Sequence, residues 1–217
     1  MRQLTLYCIG AAILTLCPAA PATTFTFDTD PFAGTNVLNT PGRQIVGGED
    51  FLSFTIATDI FSMDATAFGV GGPVRFVDSS AANLPAGGVN LVVLQDFDND
   101  ANPLTPFGAG NAADLIASKI TAHGAGFFVY FNQSLDLPRL VYSTDLSSGN
   151  SDLKVLARML NLNGATGRNA IPTFTAANFE ITGGDSAAPE PSGFLMMAGA
   201  GLIGACYFLR RVRLTKG

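Results

Sequence analysis

Apolar and polar residues alternate along much of this chain. In TTFTFDTD, Phe25 and Phe27 alternate with Thr24, Thr26 and Asp28, which is the period of a half-buried strand. LSFTIAT repeats the pattern with Leu52, Phe54 and Ile56. PVRFVD predicts a short third strand, and VNLVVLQD is almost continuously apolar, as a strand buried on both faces should be. GFFVYFN, RLVYSTDL, DLKVLARML and NFEIT complete the series. In DLKVLARML, strict alternation puts Leu153, Val155, Ala157 and Met159 on one face and Lys154 and Arg158 on the other.

One window departs from period two. NAADLIASKI offers Asn111 as a helix N-cap, Asp114 three residues on, and Leu115, Ile116 and Ile120 at helical spacing. One short helix is therefore expected near 111–121. Turn signals at PAGG, NDANP, LDLP and NLNG separate the apolar runs, and no repeat of 20–50 residues is present. The pattern predicts an all-β domain over residues 23–182: a single β-sandwich of about eight to ten short strands, with a jelly roll as the expected form. The small polar stretch TGGDSAA places a flexible linker at 183–188.

The two ends follow a different rule. Met1, Arg2 and Gln3 lead into an almost unbroken apolar run from Leu4 to Cys17, and then into PAAPAT. That is the layout of a secretory signal peptide, residues 1–22. Ala20 and Ala22 occupy the two positions where signal peptidase accepts small side chains, so a mature chain beginning at Thr23 is expected. A lipidated Cys17 is the alternative, and the bulky Leu16 before it argues against that. At the other end, residues 193–209 carry no charge and would span about 25 Å as a helix, against a bilayer core of about 30 Å. Basic side chains reaching toward the headgroups can make up the difference. The tail at 210–217 holds Arg210, Arg211, Arg213 and Lys216 and no acid, a topology signal that keeps this end cytoplasmic. The expectation is a precursor tethered in the inner membrane by a transmembrane helix at 193–209, with residues 23 to about 192 outside the cytoplasm.

Pro189, Glu190, Pro191 and Ser192, an apolar helix and an arginine cluster, in that order at the C-terminal end, resemble the tripartite PEP-CTERM protein-sorting signal. That segment is sometimes labelled an ice-binding protein C-terminal domain. The resemblance covers residues 189–217. It implies passage through signal peptidase and the secretion machinery, then recognition by an exosortase, a membrane-embedded cysteine transpeptidase that cuts near the Pro-Glu-Pro motif. It further implies a diderm bacterium that makes exopolysaccharide and biofilm, and a final place at the cell surface or in the extracellular matrix. AANLP, VVLQDFDNDANPLTPF and FFVYFNQSLDLPRLVYSTDL also resemble the bodies of uncharacterised PEP-CTERM proteins, from which no activity can be carried over.

Removal of both ends changes the chemistry to be explained. All three cysteines, Cys8, Cys17 and Cys206, lie in the segments expected to be lost, so a mature chain has no disulfide and no thiol ligand or nucleophile. Five of the 12 bases leave with the ends, while all 17 acids lie between residues 28 and 190; 7 bases against 17 acids is a net charge of −10. Binding nucleic acid requires neutralising phosphates, so that partner is excluded. Divalent cations and cation-bridged exopolysaccharide remain open. With 17 Phe and no Trp, a sugar-stacking platform lacks its usual residue.

DFDND is the one local constellation. Asp96, Asp98 and Asp100 are spaced two apart after a buried strand, an arrangement that could offer oxygen ligands to Ca²⁺. Ala101 and Phe107 stand where the helix-loop-helix calcium motif has its glycine and its closing glutamate, and the alternative is an acidic turn bonded to its own backbone. No other cofactor is indicated. His123 is the only histidine, which rules out a multi-histidine metal site, and no G-x-S-x-G elbow accompanies it. Two carboxylates at glycosidase separation cannot be read from spacing. Tyr130 and Tyr142 fall in strand patterns and are expected in the core; Arg75 and Arg139 are expected as paired surface charges. FGVGGPV and FGAGNAA lack the lysine and glycine spacing of a phosphate loop. The expectation is a non-catalytic exported surface or matrix protein, with a calcium-assisted carbohydrate-binding module as the alternative and a polysaccharide-active enzyme behind both.

Overall fold

A computed structural model describes residues 21–102 and 104–183. These residues form mostly strands, arranged in two sheets, with few helices. The smaller sheet has the order β1 (Thr24–Phe27), β4 (Ile60–Asp64), β10 (Phe179–Thr182), and both of its pairings are parallel. The larger runs β2 (Ile45–Val46), β9 (Leu153–Met159), β8 (Leu137–Ser143), β7 (Gly126–Asn132), β6 (Leu91–Leu94), β5 (Phe76–Ser79), and β3 (Asp50–Leu52) lies further along β9. Among the described residues only β7/β8 and β8/β9 are antiparallel.

These ladders correct the jelly-roll expectation, because a jelly roll is built from antiparallel Greek keys. Parallel neighbours need a crossover in place of a tight turn. One is supplied between β6 and β7, where α2 (Ala109–Ala117) crosses. No pattern in the sequence predicts the two shorter helices, α1 (Ala65–Phe68) and α3 (Gly164–Ala170). Neither is long enough to show a period of 3.6, and α3 begins at Gly164 and contains Gly167, both poor helix formers. The helix that was foreseen starts two residues early: Asn111 lies within the first turn of α2, and its Oδ1 accepts the Gly108 N–H at 3.0 Å.

Each face of the large sheet has its own core. On one face Leu91, Val93, Phe127, Val129, Phe131 and Leu140 pack toward Phe61, Met63 and Phe179 of the small sheet. On the other, Val92, Leu94, Phe128, Val141 and Val155 pack toward Ala112, Ala113 and Ile116 of α2. The sandwich thus gains a helical third layer. The continuously apolar VNLVVLQD becomes β6, buried at all four strand positions. Phenylalanine fills the layer between the sheets, with Phe54 stacked on Phe61 at 4.2 Å and 8°.

Two readings of the strands are corrected. The alternation in DLKVLARML is broken by a bulge: Val141 pairs with Val155 but Leu140 pairs with Ala157, so Leu156 has no partner. An unpaired residue shifts the face of everything after it. Leu153 and Val155 therefore face the helix, whereas Ala157 and Met159 face the small sheet. In LSFTIAT only Leu52 is in a strand; Phe54 enters the core from a loop and is fully buried. The centre of the small sheet is instead Ile60–Asp64, whose buried Ser62 interrupts its apolar run.

The expected linker past Gly183, the helix at 193–209 and the basic tail lie outside the described residues. Among the described residues no helix is long and apolar enough to cross a membrane.

Candidate functional site

Three parallel strands, β5, β6 and β7, point their carboxyl ends the same way. Open parallel sheets place their functional groups at such ends. Asp78 is the penultimate residue of β5, Gln95 and Asp96 follow β6, and Gln133 follows β7. Gln95 Nε2 donates to Asp78 Oδ1 at 3.0 Å. Burial pushes the Asp78 carboxyl up, and that bond from a neutral amide offsets only part of the rise. Gln133 ties β7 to the loop that leaves β6: its Nε2 donates to the Phe97 carbonyl, and its Oε1 accepts the Phe107 N–H at 2.7 Å.

The loop so held is the aspartate run, and its side chains are engaged one by one. Asp96 accepts from the Ala81 N–H. Asp98 Oδ1 accepts the Asp100 N–H at 3.1 Å, and Asp100 Oδ1 accepts the Asn102 N–H at 2.9 Å. Thr105 Oγ1 donates to Asp100 Oδ2 at 2.6 Å. The bonds from Thr105 and Asn102 hold the Asp100 carboxyl below the usual aspartate range. Successive side chains bonding two residues onward build a chain of Asx turns. Among the described residues no three His, Cys, Asp or Glu side chains converge to hold a metal ion.

His123 has unexpected neighbours. Its Nδ1 lies 2.8 Å from Asp145 Oδ2 and 2.9 Å from Ser147 Oγ. A catalytic triad sets serine and carboxylate on opposite ring nitrogens. Here both meet the same nitrogen, and the imidazole is 86% exposed. Burial alone pushes Asp145 up, but hydrogen bonds from His123, Ser147 and the Gly124 N–H outweigh it and hold the carboxyl low. The arrangement joins the 121–124 and 145–151 loops.

Arg139 is paired as expected, but the pair is buried. Glu49, between β2 and β3, has a side chain 6% exposed; Arg139 Nη2 donates to it at 2.6 Å, and Arg158 Nε donates to the same oxygen. Burial pushes the Glu49 carboxyl up, while its own backbone N–H and the two guanidinium groups more than reverse this. The spacing of Glu49, Arg139 and Arg158 in sequence carries no trace of the cluster, which is made by β9 lying between β8 and β3.

A cleft of about 340 Å³ opens beside the small sheet, lined by Phe27, Asp30, Asp50, Phe68, Lys154 and Leu156. Near it, Tyr142 donates to the Phe68 carbonyl at 2.7 Å; burial and the negative charge of Asp30 push its hydroxyl up to about 12. Tyr130 is fully buried and Tyr142 nearly so, as the strand pattern predicts. Ala22 is exposed, outside any strand, and directly precedes Thr23. Ala20, Pro189, Glu190, Pro191, Arg210, Arg211 and Arg213 lie outside the described residues.

Residues 187–213 match the PEP-CTERM protein-sorting motif. The motif implies an exported protein that an exosortase processes. No curated protein and no solved structure matches the chain.

Proposed function

We propose that the domain is a non-catalytic surface or matrix protein, delivered by exosortase processing to the exopolysaccharide or biofilm layer of the cell that makes it. The sorting motif carries this reading. β10 ends at Thr182 and the matched motif begins at residue 187, so the five residue steps between them reach at most about 18 Å. Processing takes place close to the small sheet, with an acidic body beside it. The self-bonded aspartate loop and the shared nitrogen of His123 support a structural role over a chemical one for the polar residues the sequence singles out.

In a strain with its exosortase the protein is expected in the matrix fraction; in a strain without it, or with residues 189–191 deleted, it stays with the inner membrane. Equal matrix recovery in both strains sinks the reading. A second measurement separates the calcium-assisted carbohydrate-binding alternative. Millimolar Ca²⁺ is expected to leave the unfolding temperature unchanged, and Asp98→Asn with Asp100→Asn to leave retention on the producer's polysaccharide unchanged. Calcium-dependent retention lost in that variant would favour the alternative. Turnover of the polysaccharide by the purified protein would end the non-catalytic part.

A further inference from the structure

Asp59 is 4% exposed, and its carboxylate has no cation within ion-pair distance among the described residues. Its neighbours are neutral donors. The Thr55 N–H reaches Oδ2 at 2.7 Å, Thr58 Oγ1 reaches Oδ1 at 3.2 Å, and the Thr23 N–H reaches Oδ1 at 2.9 Å. A buried carboxylate ordinarily has a positive partner, because desolvating an unpaired charge is costly. Thr23 is also the residue at which the N-terminal pattern expects the mature chain to begin, and its carbonyl accepts the Ile60 N–H at 2.9 Å, which starts the β1/β4 ladder.

From this coincidence we infer that signal-peptide removal completes the fold: the α-ammonium group released at Thr23 becomes the ion-pair partner of Asp59. Hydrolysis of the Ala22–Thr23 bond sends the oxygen of one water to the Ala22 carboxylate and its two hydrogens to the Thr23 nitrogen. A neutral amide donor thereby becomes an ammonium without moving from its acceptor. Charge-assisted hydrogen bonds are roughly twice as strong as neutral ones. Thr23 is itself exposed, so the two new N–H bonds can reach water while the third keeps Asp59. The small sheet would thus be locked at its N-terminal edge only after export, on the same sheet whose last strand leads to the sorting motif. The inference depends on cleavage after Ala22 and is independent of the matrix role.

The test compares two chains running to Gly217 in detergent, one beginning at Thr23 and the other at Pro21, in which Thr23 keeps an ordinary amide. The unfolding constant of the Thr23 chain is expected to be about tenfold smaller at neutral pH, the size of a charged over a neutral hydrogen bond. In Asp59→Asn the two chains should become equal. Equal stability with Asp59 present, or a tenfold difference that survives Asp59→Asn, overturns the proposal. Should Asp59→Asn fail to fold, acylation of the Thr23 amine decides: at least tenfold slower reaction in the folded than in the denatured chain is expected, and equal rates overturn it. N-terminal sequencing of the exported protein gives its first residue, and any start other than Thr23 overturns the proposal.

Discussion

Glu49→Ala is expected to destabilise the domain by about 3 kcal/mol, the lower part of the range for breaking a buried ion pair. Glu49 is one anion between two guanidinium groups, and its removal leaves Arg139, 13% exposed, without a counter-charge. Arg139 Nε already lacks an acceptor, and the one bond left to the guanidinium is a long one to a neutral group, from Nη1 to the Tyr130 hydroxyl at 3.4 Å. Arg158 is more exposed and lies 5.2 Å over the Phe51 ring; water and that ring keep it solvated, which sets the estimate at the low end. Glu49→Gln should fall between wild type and alanine, since it keeps an acceptor and loses the charge. Denaturant unfolding measures the series, and a cost for alanine below about 1 kcal/mol would show the cluster to behave as a surface pair.

The same cluster has a pH signature. The Glu49 carboxyl is held below its ordinary value of about 4.3, so the unfolded chain takes up a proton more readily than the folded one. The stability from Glu49 is therefore complete above about pH 5 and is lost as pH falls through the lowered folded value. Glu49→Gln should flatten that part of the acid-unfolding curve. Asp145, also held low, retains its share in the variant.

Phe61→Ala is expected to cost about 3–5 kcal/mol, the range for emptying a buried phenylalanine site. Phe61 is fully buried in the central strand of the small sheet. Its ring stacks on Phe54 and lies within 6.2 Å of Phe25, Phe27 and Phe179. It also stands in register between Phe25 of β1 and Phe179 of β10, so a cavity there loosens both edge strands. Phe61→Leu should recover about half the loss. Protease susceptibility near residue 183 should rise along with the loss of stability, because β10 is the strand that leads to the sorting motif. A cost under about 1 kcal/mol would mean that the surrounding rings collapse into the space.

What could be read in advance varies with the physics of each element. β6 and β7 were legible because strands covered on both faces must be apolar throughout. Ile60–Asp64 was not, since Ser62 and Asp64 interrupt the apolar run and its burial comes from strands far away in sequence. Leu153 to Met159 looked like a simple alternation, yet one unpaired residue against β8 divides them between two cores. Asp98 and Asp100 drew attention as possible ligands by their spacing; the fold engages them with the backbone two residues on. Nothing in the sequence marks Glu49, Asp59 or Gln133. An isolated polar residue shows nothing in sequence of the strand that will lie beside it.

The sequence by itself determined the sorting motif at 187–213, because such a signal is read as a linear pattern of charge, apolarity and small residues. It also determined that the regular structure of the described residues is mostly β, since period two is local. Only the tertiary structure decided that most of the ladders are parallel, that a helix covers the second face, and which acids meet bases. Those choices depend on contacts between residues up to about a hundred apart, such as Glu49 with Arg139 and Arg158, and no short-range pattern encodes them.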